Sequence, residues 1–292
     1  MLENPFNRSG LASLDDLSTP QWHSLFPHLE SIQNDFIAAQ PHTPDYPWTR
    51  DPLHNCIRAW EYPFVYHHLR SHHHSESTRS PLQIVDLGSG ATFFPFAVAR
   101  LGCSVIAVDA DTRAKASMDR AIGAVSTGTG SVTSLLSDAR SINLNSDSID
   151  AVFCISVLER IPDFQTVIAE VRRILRNRGL FVLTFDIDLR GNFQLGPASY
   201  TRLIETLNES FSLIYPETVV HPLRVLTTDN SIYPLYRHRS ILEPLIAPLG
   251  RSLSSGYNRL RGRCLPPGCE MPPGRVLATT YGACLRTRDS PR

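Results

Sequence analysis

The sequence has a single lysine, Lys115, no surplus charge of either sign, and no long apolar run. Its 28 Lys and Arg balance 28 Asp and Glu, which removes any global pull toward nucleic acid or an anionic membrane. No apolar stretch reaches the roughly 18 residues of a membrane span, and the first residues lack the apolar core of a secretory signal. A cytoplasmic protein without a membrane or nucleic-acid partner is therefore expected. Zinc-type spacing is missing as well. The six cysteines are scattered, and the one close pair, Cys264 and Cys269, has no second pair or nearby His at ligand spacing, so no metal site is expected. Cys154 falls in an apolar run and Cys103 just before another, as reduced core thiols do. There is no internal repeat. What is present is a 42% hydrophobic fraction over 292 residues, enough for one large α/β domain with additions.

The neutral total hides an asymmetry: from His221 to Arg292 eleven Arg stand against four acids. A solvated basic surface accounts for this without any function. The functional alternative is an acceptor or partner bearing carboxylate or phosphate.

Residues 1–80 show helical patterns and no alternating strands. Leu25, Leu29, Ile32, Phe36 and Ile37 recur at helical spacing, and Cys56–Leu69 is expected to form a second helix despite Pro63. His72, His73 and His74 sit in a polar stretch, Ser71–Ser80, read as a linker. Three adjacent His cannot all face one metal from a regular helix or strand.

From Pro81 the pattern becomes strand–helix alternation, which predicts a parallel sheet with helices on its faces. Strands are expected at Gln83–Leu87, Ser104–Val108, Val132–Leu136, Ile149–Ser156 and Leu180–Ile187, with helices at Phe93–Leu101 and Thr112–Val125. The clearest helix begins at Pro162 and Asp163. It carries the apolar stripe Phe164, Val167, Ile168, Val171, Ile174, Leu175, with Arg172, Arg173 and Arg176 in its final turns and Gly179 as its stop. Ala198–Phe211 is a further helix, and Ser212–Val220 and Val276–Leu285 read as the last two strands.

Three features fall at the ends of three successive strands. Asp86-Leu-Gly-Ser-Gly90 is a strand-to-helix turn whose glycines let a ligand approach the backbone. An ordinary turn would need no ligand. Asp109 ends the second strand about 20 residues beyond that turn, where an acid can accept hydrogen bonds from ribose hydroxyls. Asp138 follows the third strand, where a carboxylate can accept from an adenine amine while the Ala139 N–H faces a ring nitrogen. Either acid alone could be a surface or capping residue. The position of the third glycine of a dinucleotide fingerprint holds Phe93, followed by Phe94 and Pro95, which is poor for a diphosphate.

The series DLGSG (Asp86–Gly90), VDAD (Val108–Asp111), SIDAVFCISVLERIPD (Ser148–Asp163) and RILRNRGLFVLTFD (Arg173–Asp186) resembles the class I, Rossmann-type S-adenosylmethionine-dependent methyltransferases, within them the small-molecule group. The resemblance covers roughly Gln83–Ile187. It implies a doubly wound α/β fold with a mostly parallel seven-stranded sheet and an antiparallel last strand, and S-adenosylmethionine as cofactor. It further implies that Asp86, Gly88 and Gly90 line the methionine end, Asp109 the ribose, and Asp138 with Ala139 the adenine. Ile155–Val157, with Ser156 at its centre, would floor the site near the transferable methyl. Two departures stand out: Thr92 or a neighbour replaces the family's third motif glycine, and Arg160 stands where relatives often have His.

The organisation expected is an N-terminal helical arm or lid at 1–80, a core at 81–220, an insertion at 221–273 and the final core strand at 274–292. In-line methyl transfer to a small acceptor asks mainly for alignment, and a base is needed only for a protonated acceptor. No residue is assigned a catalytic role on sequence alone. Tyr62, Tyr66, Glu159, Asp186 and Asp188 are the candidates for the acceptor side, set against helix packing for the tyrosines and loop capping for the aspartates. Two other functions remain. A nicotinamide-dependent oxidoreductase or epimerase is opposed by Phe93, and a Tyr-x-x-x-Lys pair is impossible because the one Lys has Asp111 four residues before it. A non-catalytic S-adenosylmethionine-binding protein would keep the cofactor site without turnover.

Overall fold

The computed structural model of the chain describes residues 4–39, 51–76, 81–190, 195–235 and 276–288. Five parallel strands form its centre: β2 (Gln83–Leu87), β3 (Ser104–Asp109), β4 (Ser131–Leu136), β5 (Ile149–Ile155) and β6 (Leu175–Asp188). β8 (Ala278–Thr287) pairs antiparallel with β6, and its far edge is covered by two short strands, β1 (Gly10–Leu11) and β7 (Phe211–Leu213). The order β1-β8-β6-β5-β2-β3-β4 reverses direction between β2 and β5. The doubly wound sheet is thus present, with β1 as a strand beyond the seven expected.

Side chains alternate between two cores, as the pleat requires. Ile84, Val105, Ala151, Phe153 and Val182 face one, together with helices α1 (Pro20–Ala39), α2 (Arg58–Ser75), α3 (Phe94–Ala99) and α4 (Thr112–Ala124). Val85, Val152, Cys154, Phe181 and Leu183 face the other, with α5 (Phe164–Ile174) and α6 (Pro197–Ser210). Among the described residues no helix is long and apolar enough to cross a membrane.

Helix α2 positions the site. Every residue from Arg58 to Leu69 is buried, because the helix lies against β5, β6 and β8 with α1 and α3 packed around it. Pro63 lacks the N–H that would bond the Ala59 carbonyl. Trp22 Nε1 donates to that carbonyl at 2.8 Å instead, so the proline leaves no orphan acceptor. Trp60 stacks on Phe64 with ring centroids 4.6 Å apart, and both press on Gly282 of β8, where an added Cβ would lie 2.7 Å from Trp60 and 2.9 Å from Phe64. Gly282→Ala is expected to cost about 1–3 kcal/mol through overpacking in urea denaturation. Gly123→Ala in α4, where a Cβ meets nothing within 4 Å, is expected to gain about 0.5–1 kcal/mol. Equal effects of the two changes would contradict this packing.

The structure corrects several local expectations. His72–His74 are the last turn of α2, not a linker. Gly179 does not stop α5, which ends at Ile174; Leu175 pairs with Ile149, so the chain enters β6 directly and Arg176 sits in that strand beside Asp150. The strand expected at Ser212–Val220 shrinks to Phe211–Leu213, since Thr218 pairs with Ser9 and Pro216 accepts from it. Cys264 and Cys269 lie outside the described residues.

The neighbouring histidines of α2 are held neutral. Burial lowers His67 to about 4 and His68 to about 3, from 6.5 when unfolded. As pH falls below 6.5 the unfolded chain takes up these protons first. The stability they allow is therefore complete above 6.5 and lost toward 4 and 3. His68→Leu should remove about 2 kcal/mol of acid sensitivity between pH 7 and 5. Buried carboxylates with raised values act in the opposite sense, so the difference between variant and wild type is the quantity to measure.

Candidate active site

Ligands of open α/β sheets bind outside the carboxyl ends of the strands where the order reverses, which here is between β2 and β5. A cavity of about 480 Å³ opens at that point, lined from Asp86 to Gly90, Asp109, Asp138, Ala139, Ser156 and Tyr62 among others. The glycine turn is held by Gly88 N and Ser89 N, which donate to Val108 O at 2.9 and 3.1 Å. Gly88 and Gly90 have φ of +73° and +55°, the left-handed region that favours glycine. A Cβ on Gly88 would lie 2.5 Å from Val157 Cγ2. Asp109 ties the turn to β3: Oδ2 accepts from Gly90 N and Oδ1 from Asp111 N, both at 2.8 Å.

Asp86 is buried, and its carboxyl is pushed well above the usual range by burial first and the Asp109 charge second. Asp138 is exposed and held at about 2 by Arg140, whose Nη2 donates to Oδ2 at 2.5 Å. Ser156 ends β5 at φ 50°, its N–H bonded to Thr184 O. Tyr62, which lines the cavity, packs edge-on to Phe93 with ring centroids 5.2 Å apart.

Not all expected residues converge. Tyr66 lies beside His28, hydroxyl to Nε2 at 3.0 Å, and does not line the cavity. Asp188, the last residue of β6, is buried, accepts from Arg190 N at 2.8 Å and does not line the cavity. Glu159 and Asp186 come together instead with two residues sequence reasoning missed, Arg58 and Glu61. Arg58 Nη1 donates to Glu61 Oε2 at 2.5 Å, and Glu61 Oε1 accepts from Ser156 Oγ at 2.7 Å and Thr280 Oγ1 at 3.1 Å. Burial opposes the Arg58 charge, yet the surrounding carboxylates and Tyr62 raise its pKa. The available signal was an Arg and a Glu three apart inside the aromatic run Trp60–Tyr66. Both Glu159 oxygens are buried without a hydrogen-bond partner, and Arg160 Nε stands 3.8 Å away. Burial, then Asp186, pushes Glu159 well up; burial, then Glu61, brings Asp186 to about 7.

Residues 85–183 match the methyltransferase domain family. Among solved structures the chain is similar to the cyclase SpnF, at 12% identity over 92% of this chain and 97% of that one, with a TM-score of 0.50. It is also similar to the MccD protein, at 13% identity over 75% and 96% of the two chains, TM-score 0.49. A third is a SAM-dependent methyltransferase from Aquifex aeolicus, at 12% identity over 75% and 90%, TM-score 0.43. At such identities the likeness to SpnF concerns the fold alone. No curated protein sequence matches the chain significantly. The matched domain, on a sheet of this order, is that of a class I methyltransferase. The chain thus carries a methyltransferase domain over residues 85–183, and that domain implies an enzyme with S-adenosylmethionine as cofactor.

Proposed function

We propose that the protein transfers a methyl group in line from S-adenosylmethionine to a small-molecule acceptor. The observation that carries this reading is one cavity lined by the exits of three successive strands: Asp86–Gly90, Asp109, and Asp138 with Ala139. The residues suit the cofactor. Its methionine end bears an ammonium and a carboxylate, and the same cavity is lined by Asp86 and Arg58, of the matching signs. Gly88 and Gly90 leave room for that end, Asp109 offers acceptors to ribose hydroxyls, and Asp138 with Ala139 meets the adenine. When bound, the cofactor supplies an electrophilic methyl on a sulfonium. Ser156 and Val157 floor the cavity near it, and Tyr62, from α2, helps to keep water from the acceptor side.

The arm at 1–80 is read as part of the acceptor enclosure, with the core at 81–220, the insertion at 221–273 and the final strand at 274–292. Most of the Arg excess that suggested an anionic acceptor lies outside the described residues, whereas the cavity is lined by Asp86, Asp109, Asp111 and Asp138 beside Arg58, Arg140 and Arg160. Purified protein should bind S-adenosylmethionine and its demethylated product, with NAD much weaker, and should place labelled methyl on a small molecule from a fractionated cell extract. Tighter binding of NAD in calorimetry would overturn the reading, and label found only on macromolecules would overturn the acceptor class.

A further inference from the structure

We propose that Glu61, which does not line the cavity, is a positioning residue of the cofactor site. It holds Arg58 with its unused N–H donors toward the carboxylate of the methionine end, and it fixes Ser156 on the cavity floor. The inference deepens the methyl-transfer reading and rests on its choice of cofactor.

Arg58 opens α2 and lines the cavity, yet its side chain is only 10% exposed. Among the described residues it donates one hydrogen bond, from Nη1 to Glu61 Oε2 at 2.5 Å. A guanidinium presents its N–H groups as a rigid planar fork that pairs with a carboxylate through two parallel bonds. Most of that fork is left for whatever fills the cavity. The place is that of the methionine end. Tyr62 follows one helical turn later on the same face, near enough to Arg58 and to Asp86 to feel both charges. Its ring packs on Phe93 and Phe94, just past the glycine turn.

Glu61 is wholly buried, and its two oxygens tie three parts of the chain together. Oε2 takes Arg58 of its own helix. Oε1 accepts from Ser156 Oγ at 2.7 Å, at the exit of β5, and stands 3.1 Å from Thr280 Oγ1 of β8. The Thr280 hydroxyl has a single proton and divides it between Glu61 and Phe185 O, which lies 3.2 Å away. Ser156 lines the cavity at φ 50°, a conformation that a side-chain-bearing residue keeps only when its surroundings fix it. The fixing bonds are its N–H to Thr184 O at 2.9 Å and its hydroxyl to Glu61. Asp186 Oδ1, 3.4 Å from the same hydroxyl, is the poorer acceptor.

The other charges nearby set the direction of the effect. Asp186 and Glu159 also act on Arg58, and neither lines the cavity. A neutral side chain at position 61 leaves these two to draw the guanidinium away from the cavity. Glu61 therefore makes the arm helix read the amino-acid end of the cofactor. A ligand without the carboxylate gains nothing from it.

The test is calorimetry on the full chain with S-adenosylhomocysteine and its decarboxylated analogue, which differ only in the carboxylate. The wild type is expected to bind S-adenosylhomocysteine at least about tenfold more tightly, as one charge-assisted pair implies. Glu61→Gln and Arg58→Gln should each bring the two affinities within about threefold, by weakening S-adenosylhomocysteine and leaving the analogue unchanged. The double variant should bind no more weakly than the weaker single one, since both changes act on one contact. A purely structural role would weaken both ligands alike. Because Glu61→Gln leaves a buried charge unpaired, Glu61→Asp is measured beside it. It keeps the charge, withdraws it by one methylene, and should move the ratio in the same direction. A wild type that does not distinguish the two ligands leaves Arg58 to another group, such as an acceptor's carboxylate, and overturns the proposal. So do an unchanged ratio in every folded Glu61 variant, equal weakening of both ligands, and additive losses in the double variant. A folded wild type that binds neither ligand would instead overturn the cofactor reading beneath it.

Discussion

Replacing Gly88 by alanine is expected to weaken S-adenosylmethionine binding by at least about 30-fold. The residue sits at φ +73°, a region that costs a side-chain-bearing residue roughly 1–2 kcal/mol. The new Cβ would also lie 2.5 and 2.8 Å from the two γ-carbons of Val157. Valine is stiff at its first torsion and cannot swing clear cheaply, so the turn or the exit of β5 must move, at about 1–3 kcal/mol. The sum, about 2–5 kcal/mol, falls on the segment that cradles the cofactor and corresponds to roughly 30- to several-thousand-fold in affinity. Titration calorimetry measures it, with thermal denaturation to show that the sheet persists. Affinity within threefold of wild type would mean that the turn does not touch the cofactor.

Asp109→Ala should cost at least tenfold in the same titration. The carboxylate holds Gly90 N and Asp111 N, so its loss both removes the acceptor for ribose hydroxyls and loosens the glycine turn. Charge-assisted hydrogen bonds contribute roughly 1.5–3 kcal/mol each, and one such loss already reaches tenfold. Asp109→Asn retains one acceptor oxygen and should fall between the two. Asp138→Ala should cost less than Asp109→Ala, because Asp138 is exposed and already paired with Arg140. Wild-type affinity in the Asp109→Ala variant, with an unchanged circular dichroism spectrum, would place the cofactor elsewhere.

Much of the core was legible because local rules and tertiary packing agree there. The apolar strands β2, β5 and β6 and the stripe of α5 each bury what their periodicity says they should. Agreement fails at element boundaries. Gly179 looked like a helix stop, but pairing of Leu175 with Ile149 ended α5 earlier, since a ladder hydrogen bond is not encoded by neighbours along the chain. β1 is two residues long and exists only because the edge of β8 offers it partners. His72–His74 continue a helix already started by buried residues upstream, which polarity alone does not reveal.

By itself the sequence determined the class of sheet, the glycine turn and the acids at three strand exits, because these depend on residue type at fixed spacing within a continuous segment. Only the tertiary structure decided the polar cluster beside the cavity. Arg58 and Glu61 come from α2, Ser156 and Glu159 from the turn after β5, Asp186 from β6 and Thr280 from β8, so the cluster spans most of the chain. Periodicity tells which residues share a helix face, but not that α2 is enclosed on all sides. Burial strips water from Glu159 and pushes its carboxyl up, a property of the surroundings and not of the residue.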